Sequence, residues 1–238
     1  MLSKDGTYNI LFIGNSYTFF NDMPTTYFEP MAKICGYDIR VTTITKGAYT
    51  LEKFADPADA YGKMVANALS ANSSFDYVIL QEQSVRPAIQ SDSFYAAVRT
   101  LCEKIRAIGA QPVLYATWGR QTGSETLTKY DLTNETMTAK LATAYATIGK
   151  ELDISVLHAG LAFYDINCNS NINLYNADLS HPSSEGSYVA AMTLFCGIFG
   201  VDPITAPFSG PLSADEDAIA RSAVAKALLD PQIPATEA

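Results

Sequence analysis

The feature that most restricts this chain is an alternation. A short apolar, β-leaning run is followed, repeatedly, by a segment whose apolar residues recur every three or four positions. The runs lie at 8–13, 39–44, 77–80, 112–116 and 154–157. Helical spacing covers 24–35, stopped by Gly36; 61–69; 91–108, with Ser91 as N-cap and Gly109 as the stop; 137–148; 189–199; and 213–229, with Asp215, Glu216 and Asp217 in its first turn. Strands and helices that alternate in this way imply a parallel sheet covered on both faces.

Composition agrees with a packed core. The chain has 238 residues, of which 48% are hydrophobic and 17% charged, with no repeat or linker, so residues 1–238 are read as one domain. At this size folding hides about 70% of the unfolded surface, and no staples are needed. The formal charge of −9 repels phosphate backbones and anionic lipid, which excludes nucleic acid and membrane as expected partners. The early apolar run at 10–13 is too short for a signal-peptide core or a membrane span, so a cytoplasmic setting is expected; secretion after removal of a leader is the alternative. Cys35, Cys102, Cys168 and Cys196 are scattered without C-x-x-C spacing, and they read as buried thiols rather than a zinc site.

In open α/β sheets ligands bind beyond the carboxyl ends of the strands, so the residues just after each run carry the chemistry. Five loops qualify: Gly14-Asn15-Ser16-Tyr17-Thr18, Lys46-Gly47-Ala48-Tyr49, Gln81-Glu82-Gln83-Ser84, Thr117-Trp118-Gly119-Arg120, and the stretch from His158 to His181. Ser16 sits where a strand turns into the next segment, and backbone N–H groups there can face an oxyanion; the plain alternative is that Asn-Ser only makes the turn. A serine nucleophile needs a base, and the chain has two histidines. His158 ends an apolar run and reads as structural. His181 has Asp178 three residues before it, a spacing that lets the carboxylate fold back onto Nδ1 and leaves Nε2 free to take a proton. The Gly47 N–H and the Gln81 amide are candidate oxyanion donors, against plain readings as a tight turn and a strand-end polar residue. Asp165-x-Asn167-x-Asn169 opens like a calcium loop. Ser170 and Asn176 stand where glycine and glutamate are required, which leaves an asparagine-rich surface loop and no metal site.

Gly14-Asn15-Ser16, Gly47, an amide side chain after the third run and Asp178-Leu179-Ser180-His181 together resemble, in order and over nearly the whole chain, the four blocks of the SGNH (GDSL-type) hydrolases. The resemblance implies a flavodoxin-like three-layer α/β/α sandwich around a five-stranded parallel sheet. It implies Ser16 as nucleophile, His181 as general base, Asp178 as the group orienting it, and an oxyanion hole from the Ser16 and Gly47 amides and a third-block side chain. The third block departs from the usual Gly-x-Asn-Asp: it reads Gln81-Glu82-Gln83-Ser84, closer to the glutamine-bearing carbohydrate acetylesterase-like members. Gln81 is the first choice for the donor and Gln83 the second, since both would share a face if the strand continued.

The expectation is a serine esterase without cofactor or metal, acting on a small-molecule or carbohydrate ester, O-acetyl first. Tyr17, Tyr49 and Trp118, with Tyr164, are candidate rings at the substrate rim, or else loop-packing residues. A lysophospholipase or thioesterase is the enzymatic rival, and a non-catalytic binding module on the same scaffold is the rival of another class.

Overall fold

Each apolar run becomes a strand, and all the strands are parallel. The structure is a computed structural model that describes residues 3–235. In chain order it holds β1 (Thr7–Gly14), α1 (Ser16–Phe19), α2 (Glu29–Ile34), β2 (Asp38–Thr45), α3 (Leu51–Ala55), α4 (Ala60–Ala68), β3 (Tyr77–Leu80), α5 (Arg86–Ile89), α6 (Ser91–Ala107), β4 (Gln111–Ala116), α7 (Glu125–Lys129), α8 (Asn134–Leu152), β5 (Ser155–His158), α9 (Ala159–Asn169), α10 (Ser184–Phe199) and α11 (Ala214–Leu229). The strands lie in the order β2-β1-β3-β4-β5. This is the flavodoxin-like order, with the topological switch between β1 and β3. The crevice at that switch is where the loop after β1, which carries Ser16, and the glutamine loop after β3 emerge.

The period of two along the strands sorts the core into two layers. Ile10 and Phe12 of β1, Ile79 of β3 and Val113 and Tyr115 of β4 pack on one face with α2, α9, α10 and α11. Leu11, Ile13, Val78, Leu80, Leu114 and Ala116 face the other way, onto α3, α4, α6 and α8. With helices on both faces, the fold is a three-layer α/β/α sandwich.

Local chemistry explains most boundaries. Thr133 and Thr136 form a capping box at the start of α8, Ser213 and Glu216 do so for α11, and α10 stops at Gly200 with φ 65°. Four expectations are corrected. Ser91 is the first residue of α6 rather than its cap; Gln90 takes that place without a side-chain hydrogen bond. The 24–35 helix begins as a π-helical turn, Pro24–Phe28, before α2. The stretch after His158, taken as loop, opens with α9, and the Asp165, Asn167 and Asn169 triplet lies in its last turns. Cys35, Cys102 and Cys196 are buried, but Cys168 is exposed. Among the described residues no helix is long and apolar enough to cross a membrane.

The first turn of α9 lies against the loop that follows β4. A Cβ on Gly160 would stand 2.2 Å from the Thr117 carbonyl oxygen. Backbone cannot yield there as a flexible side chain would, so Gly160→Ala should lower stability by about 1–3 kcal/mol. A fall in the urea midpoint checks this, and an unchanged midpoint would show that the contact relaxes freely.

Candidate active site

The loop after β1 presents Ser16 as the first residue of α1. Asn15 precedes it as N-cap, accepting the Tyr17 N–H on its side-chain oxygen at 3.2 Å and donating from Nδ2 to the Tyr49 carbonyl at 3.0 Å. The serine is therefore held at both ends of its own turn. Among the described residues nothing accepts the Ser16 N–H.

The loop before α10 brings the histidine. Asp178 Oδ1 accepts the N–H groups of Ser180 (3.0 Å) and His181 (2.9 Å), which curls the chain through Leu179 at φ 59°. The same carboxylate meets His181 Nδ1 at 2.5 Å through Oδ2, and His181 Nε2 stands 2.8 Å from Ser16 Oγ. Ser16, His181 and Asp178, which the sequence reading singled out, thus form one hydrogen-bonded line. Burial pulls the Asp178 carboxyl upward, but the bonds from the His181 ring and the two N–H groups outweigh it and hold the group below the ordinary carboxylate range. Phe20 stacks on the imidazole at 4.6 Å and Tyr17 meets it edge-on at 5.7 Å, so the ring is clamped between aromatics. Asn21 adds a strap, donating to the carbonyls of Pro182 and Ser183. His158 ends β5, buried, and burial pushes it down to about 4; it does not line the cleft.

The cleft around Ser16 holds about 190 Å³ and is lined also by Tyr17, Ala48, Gln83, Ser84, Arg120 and Ser180. Several expected residues are placed differently. Gln81 is fully buried beneath the Ser16 loop, accepting the Asn15 N–H at 2.8 Å and the Thr18 hydroxyl at 2.9 Å, with its own amide given to the Glu82 carbonyl. Strand β3 ends at Leu80, so the shared parity of Gln81 and Gln83 does not hold, and Gln83 faces the cleft. Its oxygen accepts the N–H groups of Val85 and Arg86, which leaves the amide NH₂ outward with only a long 3.3 Å contact to Ser84 Oγ. Gly47 is exposed in the turn closed by Tyr49 N–H to Lys46 O (3.1 Å), but the neighbouring Ala48, at φ 59°, lines the cleft.

The candidate rim is mostly core. Trp118 is fully buried between Tyr17 (4.7 Å) and Phe163 (4.0 Å), donating Nε1–H to the Ser180 carbonyl at 3.1 Å. Tyr49 donates its hydroxyl to Asp59 and does not line the cleft. Tyr164 reaches Glu135 from α9, beside a separate cleft with Leu161 and Lys226. Of the rings, Tyr17 alone lines the cleft, as its wall. Ala48, Ser84, Arg120 and Phe20 were not singled out; Arg120 could have been, as the cation at the end of the fourth loop. A larger cleft, of about 360 Å³, lies at the amino-terminal edge of β4 and β5 around Arg106 and Asp153, and no histidine lines it.

Next to Gln83 in the chain lies a buried acid. Glu82 is fully buried; one oxygen accepts the N–H groups of Gln83 (2.6 Å) and Leu51 (3.1 Å), and the other has no partner. Burial pushes it up to about 7 against those bonds. The folded protein holds this proton more tightly than the unfolded chain. Stability therefore falls as pH rises from the ordinary glutamate range to about 7, and stays down above it. The loss at full ionisation is about 3 kcal/mol. Glu82→Gln keeps an oxygen for both N–H donors, so it should be more stable than wild type at about pH 8 and lose that advantage near pH 4; urea unfolding at both pH values measures it.

No family model matches the chain, and no curated protein does. Solved structures do. A proposed SGNH hydrolase from Slackia heliotrinireducens is 32% identical at a TM-score of 0.70, over 80% of this chain and 98% of the other. A DUF4886 family protein from Bacteroides uniformis is 21% identical at a TM-score of 0.82, over 95% of this chain and 96% of its own. A catalytic mutant of an acetylxylan esterase from Geobacillus stearothermophilus is 15% identical at 0.57, over 84% and 96%. The last two show a shared fold.

Proposed function

The chain belongs to the SGNH hydrolases, enzymes acting on ester bonds, and from that premise we propose that it is a serine esterase that removes small acyl groups, O-acetyl first, from a carbohydrate-type alcohol through an acyl-enzyme. The observation that carries the proposal is the line from Ser16 Oγ through His181 to Asp178, at 2.8 and 2.5 Å.

In the proposed reaction Ser16 Oγ attacks the ester carbonyl carbon while His181 Nε2 takes its proton. The carbonyl π pair moves onto oxygen. Asp178 keeps Nδ1–H in place and steadies the imidazolium. That proton then passes to the alcohol oxygen as the C–O bond breaks. Water repeats the sequence on the acyl-enzyme, giving up a proton to His181, and the acid leaves as Ser16 recovers its hydrogen. The oxyanion would be met by the Ser16 N–H, an N–H of the Lys46–Tyr49 turn at Gly47 or Ala48, and the outward amide of Gln83, each donor worth about 3–4 kcal/mol at the transition state.

Cleft volume supports a small acyl group. About 190 Å³ is below the roughly 300–1,000 Å³ of sites that enclose larger ligands, which disfavours a lysophospholipid or long thioester. The alcohol half is supported by the fold shared with an acetylxylan esterase, since Trp118 and Tyr164 stand away from the rim.

A fluorophosphonate probe should label the wild type and leave Ser16→Ala unlabelled, and Ser16→Ala should lose at least about 10⁴-fold in kcat. A wild type that fails to label would favour the binding-module alternative. Across acyl esters of about two to twelve carbons, kcat/KM should collapse beyond about four; a rate that climbs with chain length would move the assignment to the lysophospholipase or thioesterase class.

A further inference from the structure

Arg120 stands in the same cleft as Ser16 and His181 without an acidic partner. Its NH2 donates to Ser84 Oγ at 2.8 Å, its Cζ lies 5.7 Å from the centre of the Tyr17 ring, and its Nε is buried with nothing to receive its hydrogen. Among the described residues no carboxylate comes within 4.0 Å to pair with it. The two other sheltered arginines differ. Arg221 is paired with Asp217 at 2.5 Å, and Arg86, whose Nε is likewise orphaned, pairs through NH2 with Glu52. Asp178 shares the cleft with Arg120 but is already committed: one oxygen holds the N–H groups of Ser180 and His181, and the other holds His181 Nδ1.

A half-buried guanidinium without a counter-charge costs stability unless its partner arrives with the ligand. The guanidinium fork matches a carboxylate or a phosphate. Elsewhere the molecule discourages anions, since its formal charge is −9. Asp178 is the one carboxylate among the described residues lining this cleft, and it is turned to the histidine, so Arg120 is the cation left there to meet an anion.

We infer that the alcohol half of the natural ester carries an anionic group, a carboxylate or phosphate near the esterified oxygen, and that Arg120 selects it. The inference rests on the esterase reading above. A cleft of about 190 Å³ at the serine leaves room for a small acyl group, so the charge belongs to the alcohol.

The test compares kcat/KM on O-acetyl-lactate and O-acetyl-lactamide, alike in size and different in charge, with 2-acetoxyethyl phosphate against 2-acetoxyethanol as the phosphate arm. Wild type should favour an anionic ester by about tenfold or more, and Arg120→Met should lose about tenfold to a hundredfold more on that ester than on its neutral counterpart, mostly in KM. Arg120→Lys should recover part of the preference. The arm that shows the larger ratio identifies the anion. Equal rates on charged and neutral esters in wild type would overturn the inference. So would an equal loss on all substrates in Arg120→Met, which would make Arg120 a positioning residue for Ser84 and the Tyr17 ring. Calorimetric titration of Ser16→Ala with lactate and with lactamide reads the anion site without chemistry. Tighter lactate binding that Arg120→Met abolishes supports the inference, and no difference overturns it. Failure of the esterase reading shows separately, as absent fluorophosphonate labelling.

Discussion

Everything at the cleft leans on one buried indole. Trp118 leaves the end of β4 with Tyr17 of the Ser16 loop stacked on one face and Phe163 of α9 on the other, and its N–H goes to the carbonyl of Ser180 in the histidine loop. Three segments far apart in the chain are thereby indexed to a single rigid plane. Tyr17 also meets the Ser180 hydroxyl at 2.9 Å, so the loops carrying Ser16 and His181 are joined directly as well as through the indole. A stacked aromatic sandwich with its polar atom satisfied has little freedom to shift, and this keeps a 2.8 Å contact between residues 165 positions apart.

That precision is accompanied by local backbone strain. Among the described residues six other than glycine have positive φ, and Asn21, Ala48 and Leu179 all lie in loops around the cleft. Each such residue costs on the order of 1 kcal/mol or more and persists only where surrounding contacts over-determine it. Here the contacts are visible. Asn21 is bound to the histidine loop, Leu179 is held by the Asp178 turn and by its carbonyl accepting the Gln121 N–H at 3.0 Å, and Ala48 sits in a closed turn. The buried Glu82 belongs to the same pattern: its carboxyl braces the backbone of the glutamine loop although burial disfavours its charge.

Legibility in the sequence followed physical contrast. Apolar runs between polar turns marked the strands to within a residue or two: β1, β3 and β4 are buried over most of their length and tolerate little else, and edge strand β2 buries Ile39 and Ile44. α9 was hidden because His158 is both the last residue of β5 and the N-cap of the helix, with no glycine or proline between them, and because the helix is buried over much of its circumference and shows no clear amphipathic stripe. Gln81 and Gln83 could not be told apart, since parity holds only while a strand lasts and β3 ends one residue before the first glutamine. Trp118 and Tyr164 were placed at a rim because loop aromatics next to a site look the same whether they face solvent or core. Arg120 passed unremarked because the absence of a counter-ion is a property of neighbours, not of spacing.

The sequence by itself determined which segments are buried, where each strand hands over to the next segment, and that a serine, a histidine and an aspartate stand beyond strand ends in the order of a known family. Those are local properties, set by hydrophobic period and residue type. Only the tertiary structure decided which side chains share a cavity, that Gln83 rather than Gln81 faces it, that the indole is a brace and not a platform, and that the guanidinium in the cleft with Ser16 makes no salt bridge. These depend on contacts between residues 36 to 66 positions apart, made where parallel strands deliver distant loops to one edge of the sheet.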